Sequence, residues 1–216
     1  MDFEYQRPLI RESLKVALGA FRECGSQYRI VGSVLIVALT NKIFRKIGDL
    51  DLLFEKNHFD CVVEQLKKLG FTIIRKRLFV FPWVEAKNKG GLTLTFLLVG
   101  HFTPDGFIYR IGRWAEIRVR LEYIAPTNYS FEGVEFIGLP VSSIASGIQQ
   151  AFLNPKRQLD KRMLAPYLRT HEFPYGQINI HLFGIRIPYL YDMYSFLYNL
   201  FGGARVLLGK KYESWE

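Results

Sequence analysis

Only two cysteines, Cys24 and Cys61, occur in the 216 residues, too few for a disulfide framework. Each falls on a segment with amphipathic helical spacing, and the pair is expected as buried free thiols in a reducing cytoplasm. Long apolar runs are missing as well. No stretch approaches the roughly 18 residues that cross a bilayer, so no membrane span is expected. Met1-Asp2-Phe3-Glu4 lacks the basic and then apolar opening of a signal peptide, and the expected location is cytoplasmic. Histidine is rare, and His58, His101, His171 and His181 show no metal-ligand spacing with Cys or carboxylates. No Gly-x-Ser-x-Gly elbow, P-loop or dinucleotide fingerprint appears, which removes the chemistries those motifs carry. Low-complexity segments are absent too. A hydrophobic content of 49% with 15% aromatics instead describes one globular domain, or one with an appendage, large enough for a real core.

Acidic residues are outnumbered, 20 against 29 Lys and Arg, giving +9 and a pI near 9.5. The basic residues are clustered. Lys42, Arg45 and Lys46 form one group, Arg75-Lys76-Arg77 a second, Arg110, Arg113, Arg118 and Arg120 a third, and Lys156, Arg157, Lys161 and Arg162 a fourth. Such a surface attracts polyanions and adds salt-dependent affinity for RNA or DNA phosphates. The same cations could equally face water or serve a nucleotide triphosphate.

Hydrophobic spacing predicts an α/β chain. Leu9, Leu14, Leu18 and Phe21 mark a helix over 8–23, Tyr28 to Val31 a short buried strand, and Val34 to Thr40 a second helix. Asp49 to Phe54 is the next strand. His58 to Leu69 has helical periodicity and stops at Gly70, a C-terminal capping signal. Phe71 to Glu85 and Gly91 to Val99 read as strands joined by the polar turn 87–90, and Ala115 to Tyr123 as another, ending before Pro126. Residues 1–126 are therefore taken as a core and 127–216 as a C-terminal region packed on it. That region holds a hairpin or strand over 131–140, a helix from Val141 to about Phe152, a strand-like run from Ile178 to Pro188 and an aromatic-rich helix from Tyr189 to Phe201. The aromatic helix is expected to pack, either closing a cleft or burying a homodimer interface.

The most informative pattern joins Val31-Gly32-Ser33 to Asp49-Leu50-Asp51 across fifteen residues. In a strand, side chains alternate faces, so Asp49 and Asp51 point one way while Leu50 and Leu52 point into the core. Two carboxylates about 6–7 Å apart on one face repel each other unless a cation lies between them. Oxygen donors of this kind suit Mg²⁺ (or Mn²⁺), which binds one or two carboxylates together with substrate phosphates. A Gly-Ser turn opening a helix offers free backbone N–H groups and a favourable dipole for phosphate.

This arrangement resembles the nucleotidyltransferase superfamily that includes DNA polymerase β. The resemblance covers about residues 26–56 and implies a small mixed sheet flanked by helices. It also implies transfer of an NMP from an NTP to a hydroxyl, with RNA among the possible acceptors. Asp49 and Asp51 would then hold metal, and Gly32 and Ser33 the β- and γ-phosphates. Arg45 or Lys46 would neutralise charge on the leaving pyrophosphate, and Lys156 and Arg157 would contact nucleotide or acceptor. Two branches are similar in further detail. The AbiEii-like branch has a basic segment with an aspartate, matched by Lys156, Arg157 and Asp160, although Gly147 stands near the position of its helix lysine. The LicD- and fukutin-like branch, which transfers phospho-alcohols, shares the spacing to the aspartates; its strand-Pro-helix-Gly tail resembles Ile185 to Gly202. Its tryptophan and extra aspartates are replaced by Lys46-Ile47-Gly48. Active members usually carry a third carboxylate on a neighbouring strand; the matching slot here is Thr95, which leaves Glu116 or Glu85 as candidates. Without such a group, the chain would use one metal, take its base from the substrate, or be an inactive relative that binds nucleic acid or a partner protein.

Overall fold

The computed structural model describes residues 3–78, 81–149, 155–167 and 176–197. Helix α1 (Arg7–Glu23) starts with Pro8 in its first turn, where a missing N–H costs nothing. It buries Ile10, Leu14, Ala17, Leu18 and Phe21 along one side. Strand β1 (Tyr28–Val31), helix α2 (Ser33–Thr40), strand β2 (Asp49–Glu55) and helix α3 (Phe59–Lys68) follow, close to the boundaries that the hydrophobic pattern predicts. Gly70, at φ +82°, ends α3 in a conformation that favours glycine.

The remaining described strands are β3 (Thr72–Leu78), β4 (Phe81–Lys87), β5 (Thr93–Thr103), β6 (Gly106–Ile111), β7 (Ala115–Arg120), β8 (Thr127–Phe131), β9 (Val134–Gly138), β10 (Ile178–Leu182) and β11 (Ile185–Ile187). The helices are α4 (Leu121–Ile124), α5 (Val141–Gln149), α6 (Pro155–Leu164) and α7 (190–197). The sheet is mixed and flanked by helices. Its strand order is β11-β10-β7-β6-β5-β2-β1-β9-β8, with the β3–β4 hairpin attached through β4 to the first half of β5. Strand β2 runs parallel to β5 and antiparallel to β1. Beyond the expected boundary at Pro126, β8 and β9 extend this sheet, and Tyr129, Phe131 and Phe136 join the same buried cluster as Leu50 and Phe54.

Three strand expectations are corrected. Phe71 to Glu85 is a hairpin, not one strand: β3 and β4 pair antiparallel from Thr72↔Lys87 to Leu78↔Phe81, and the sequence between them offers no Gly, Pro, Asn or Asp as a turn signal. Ala115 to Tyr123 leaves the strand after Arg120, because Leu121, next in the inward series, is exposed and begins α4. Ile178 to Pro188 is a hairpin reversing at Phe183 and Gly184, both at positive φ. The part of the aromatic helix beyond residue 197 lies outside the described residues.

The cysteine expectation is also corrected. Cys24, at the end of α1, and Cys61, on the exposed side of α3, form a disulfide with Cα atoms 6.0 Å apart. The count of two excluded a framework but not one bridge.

The acid strand is held from several sides. Leu50, Leu52 and Phe54 are wholly buried on the face covered by α1 and α3, where Phe54 meets Phe21 at 5.2 Å and Phe96 at 5.3 Å. Each such ring contributes on the order of 2–3 kcal/mol when removed from water. Just before the strand, the Gln6 side chain donates to the Ile47 carbonyl (2.8 Å) and accepts from the Ile47 N–H (2.9 Å). The Ser13 hydroxyl accepts from the Leu92 N–H at 2.9 Å, fixing the entry into β5.

Candidate active site

The turn between β1 and α2 lies directly on an aspartate. Gly32 has φ +76° and ψ −148°, and a Cβ there would stand 2.8 Å from Asp51 Oδ2. Glycine is required twice over, for the backbone conformation and for the close approach. The glycine gives α2 no side-chain cap, so the first-turn N–H groups face the aspartate side without an acceptor from the capping residue.

Asp49 and Asp51 share the opposite surface of β2 from Leu50 and Leu52. Strand geometry separates their Cα atoms by about 6–7 Å. Asp51 pairs in register with Val31 on one side and Thr95 on the other. Its carboxyl is pushed up to about 8, by burial first and by the charge of Asp49 second; Arg157 and Arg45 oppose the shift. Asp49 is raised too, chiefly by burial, against the pull of Arg45, Arg157 and Lys156. The fold thus holds a desolvated carboxylate pair that carries two negative charges at a cost.

An ion network centred on a buried aspartate borders this pair. Arg45, in the loop between α2 and β2, donates from Nε to Asp160 Oδ1 (2.8 Å) and from a terminal nitrogen to Asp160 Oδ2 (3.2 Å). The same terminal nitrogen donates to the Ser33 hydroxyl. Asp160, on α6, is wholly buried and also accepts from Arg157 at 3.0 Å. Helix α6 therefore reaches the Gly-Ser turn through two side chains, although more than a hundred residues separate them. Lys46 is exposed, and its carbonyl accepts from Arg45 at 3.3 Å. Lys156 is exposed but close enough to favour the charged form of Asp49.

Gly32, Ser33, Arg45, Asp49, Asp51, Lys156 and Arg157 are thus brought to one place. Glu116 is not. It lies on β7, three strands from β2, where it accepts from Arg118 Nε at 2.5 Å and faces Arg110 Nε at 3.9 Å. Glu85 pairs in register with Thr95. Its carboxylate is engaged by Lys76 (2.7 Å), Lys87 (3.1 Å) and Trp83 (3.0 Å). Burial raises its pKa, but those partners hold it below the usual range. Among the described residues no group of three or more His, Cys, Asp or Glu is placed to hold a metal. His171 lies outside them. Asp160 is the member of the site that the sequence reading left without a role. Its signal was present as an acid three positions after Arg157 on a basic helix, the spacing of neighbours on one helical face.

No family model matches the sequence, and no curated protein matches it. Solved structures do resemble the fold. The lincosamide antibiotic adenylyltransferase LnuA, lincomycin-bound, superposes with a TM-score of 0.61 at 16% identity, covering 73% of this chain and 97% of LnuA. ANT(2'')-Ia in complex with adenylyl-2''-tobramycin superposes with a TM-score of 0.54 at 15% identity, covering 73% of this chain and 88% of that one. A solution structure of ANT(2'')-Ia gives 0.53 at 17% identity, covering 77% and 85%. The chain has the nucleotidyltransferase fold.

Proposed function

We propose that this nucleotidyltransferase-fold protein moves an NMP from an NTP to a hydroxyl acceptor. The observation that carries the reading is the half-buried Asp49–Asp51 pair lying under the Gly32-Ser33 turn, with Arg45 and Arg157 at its side. The donor set fits a hard dication: two desolvated carboxylates lack only positive charge, and the adjoining turn can receive the phosphates that complete such a shell. Bound by Asp49 and Asp51, Mg²⁺ (or Mn²⁺) would supply Lewis acidity toward the phosphoryl oxygens and the attacking hydroxyl.

The residues of the chain divide the remaining work. The N–H groups at the start of α2 and the Ser33 hydroxyl hold the β- and γ-phosphates. Arg45, kept in place by Asp160, meets the negative charge that grows on pyrophosphate as its bond to the α-phosphorus breaks. Lys156 and Arg157 contact the nucleotide or the acceptor. Thr95 contributes no carboxylate, so the hydroxyl proton leaves to water or to a phosphate oxygen of the substrate. The solved neighbours include an adenylyltransferase and a complex with adenylyl-2''-tobramycin, which favours AMP as the transferred group and a small-molecule hydroxyl as acceptor over RNA.

Isothermal titration with each of the four NTPs, with and without Mg²⁺, tests the reading on wild type and on Asp49→Asn/Asp51→Asn. Metal-dependent binding that disappears in the double variant is expected. Failure of every NTP to bind would overturn it. The threonine beside Asp51 favours one second reading, a non-catalytic relative; that reading expects NTP binding without transfer to any hydroxyl.

A further inference from the structure

Strands β6, β7, β10 and β11 continue the sheet away from the aspartates, and their two surfaces differ in character. Phe107, Tyr109, Ile117, Val119 and Ile180 are buried on one surface. The register sets a row of Arg110, Glu116, His181 and Arg186 on the other, with Arg118 and Asn179 beside it and Arg120 further along β7. The side chains of Arg110, Arg118 and Arg120 are 75%, 52% and 56% exposed. Glu116 pairs with Arg110 and Arg118, and Glu122, just past β7, with Arg120 at 3.3 Å, so two acids stand against the four arginines.

The arginine surface faces away from the Asp49–Asp51 pair. Thr95 stands beside Asp51, and the bulge at Leu97 then shifts the alternation of β5 by one residue. Phe102 consequently shares the aspartates' side, where the Arg29 guanidinium lies over its ring at 4.8 Å and Phe107 packs against it at 4.9 Å. The arginines project from the reverse side of the same strands.

At the rim, the turn after β6 meets the turn after β10. The Phe183 N–H donates to the Trp114 carbonyl at 2.7 Å, and the two rings lie 5.2 Å apart. Trp114 is 63% and Phe183 73% exposed, and exposed Arg113 directly precedes Trp114. Large aromatic rings left in water beside a cationic sheet surface are the parts of a stacking platform.

We propose that this outer surface binds single-stranded nucleic acid, with Arg110, Arg118, Arg120 and Arg186 on phosphates and Trp114 and Phe183 stacked on bases. A duplex keeps its bases stacked on one another and offers the rings nothing, so unpaired strands are the fitting class. The site is separate from nucleotidyl transfer and stands whether or not that activity is found.

Fluorescence anisotropy of labelled oligo-U and oligo-dT, on the full chain without nucleotide or metal, tests the proposal. Either probe should bind with strong salt dependence. Arg118→Gln/Arg120→Gln should weaken binding about tenfold and lower the log–log salt slope by about 1.4, roughly 0.7 per phosphate contact. Trp114→Ala/Phe183→Ala should cost about tenfold or more at unchanged salt slope, with Trp114→Tyr/Phe183→Tyr restoring most of it. Asp49→Asn/Asp51→Asn should bind as wild type. Absence of binding to both probes would overturn the proposal. So would binding that survives the arginine and aromatic variants, which would place the strand elsewhere. Equal competition by heparin and by duplex, with no effect of the aromatic variant, would replace it with a general polyanion or acidic-protein surface.

Discussion

Two arginine–carboxylate clusters in this molecule use the same chemistry in opposite surroundings. Inside, Arg45 and Arg157 share Asp160, whose side chain has no solvent exposure. Outside, Arg118 and Arg110 share Glu116 on a sheet surface where the arginines are half or more in water. Coulomb attraction at equal distance is several times stronger where water is excluded, and so is the penalty for stranding one partner. The inner cluster therefore ties α6 to the Gly-Ser turn, whereas the outer one leaves its arginines available to a ligand.

Removing Asp160 should give the largest stability change. Asp160→Asn keeps the volume but leaves Arg45 and Arg157 without their shared acceptor, and breaking a buried pair in this way costs about 3–5 kcal/mol. Urea unfolding monitored by circular dichroism measures it. A loss under about 1 kcal/mol would mean that water already reaches the inner cluster and that the contrast with Glu116 fails.

The disulfide should come next. Cys24 and Cys61 are 37 residues apart, a loop whose closure restricts the unfolded chain by about 4 kcal/mol in the chain-entropy model, with measured values more often 2–4. Cys24→Ser/Cys61→Ser should lower Tm by several degrees, and a reducing agent should do the same to wild type only. Equal Tm in the two proteins would show that the bridge does not form in solution. The bridge is remote from both arginine clusters, so neither NTP affinity nor outer-surface binding should follow its loss.

Much of the site was legible because it is local. The strand–turn–helix of 28–40 and the acid strand at 49–55 each announce themselves locally, by alternation, by Gly32 and by the aspartate spacing. What the sequence concealed is contact between distant segments. Asp160 reads as one acid on a basic helix until α6 is folded against Arg45, 115 residues earlier. Glu116 reads as a possible third carboxylate until the register places β7 beyond β6 and β5. The β3–β4 and β10–β11 hairpins look like single strands in sequence because strand-like composition runs on through a reversal, and only turn chemistry marks the fold-back. Phe79-Val80 supplies none, and Gly184 alone was not decisive.

A different readout probes the inner site through pH. Asp51 titrates near 8 in the fold, driven by burial and by Asp49, against about 3.9 in an unfolded chain. The folded state holds this proton more tightly, so metal-free stability falls as pH rises from about 4 and levels off above about 8. Asp51→Asn removes the penalty. Its Tm in chelator should match wild type near pH 4 and exceed it by a margin that widens up to about pH 8, while Mg²⁺ should raise Tm for wild type alone. A Tm difference that does not grow with pH would show that Asp51 is not desolvated.

The smallest effect belongs to the outer cluster. Glu116→Gln removes the acid that Arg110 and Arg118 share, yet solvent screening limits the worth of such pairs, and stability should move by less than about 0.5 kcal/mol. NTP titration should be unchanged, because β5 and β6 stand between Glu116 and the aspartate strand. Affinity for single strands should instead rise about two- to threefold, since Arg110 and Arg118 lose their internal competitor for phosphate. A loss of stability as large as that of Asp160→Asn would erase the distinction between the clusters. A loss of NTP binding or transfer would return Glu116 to the catalytic role that its position on β7 argues against.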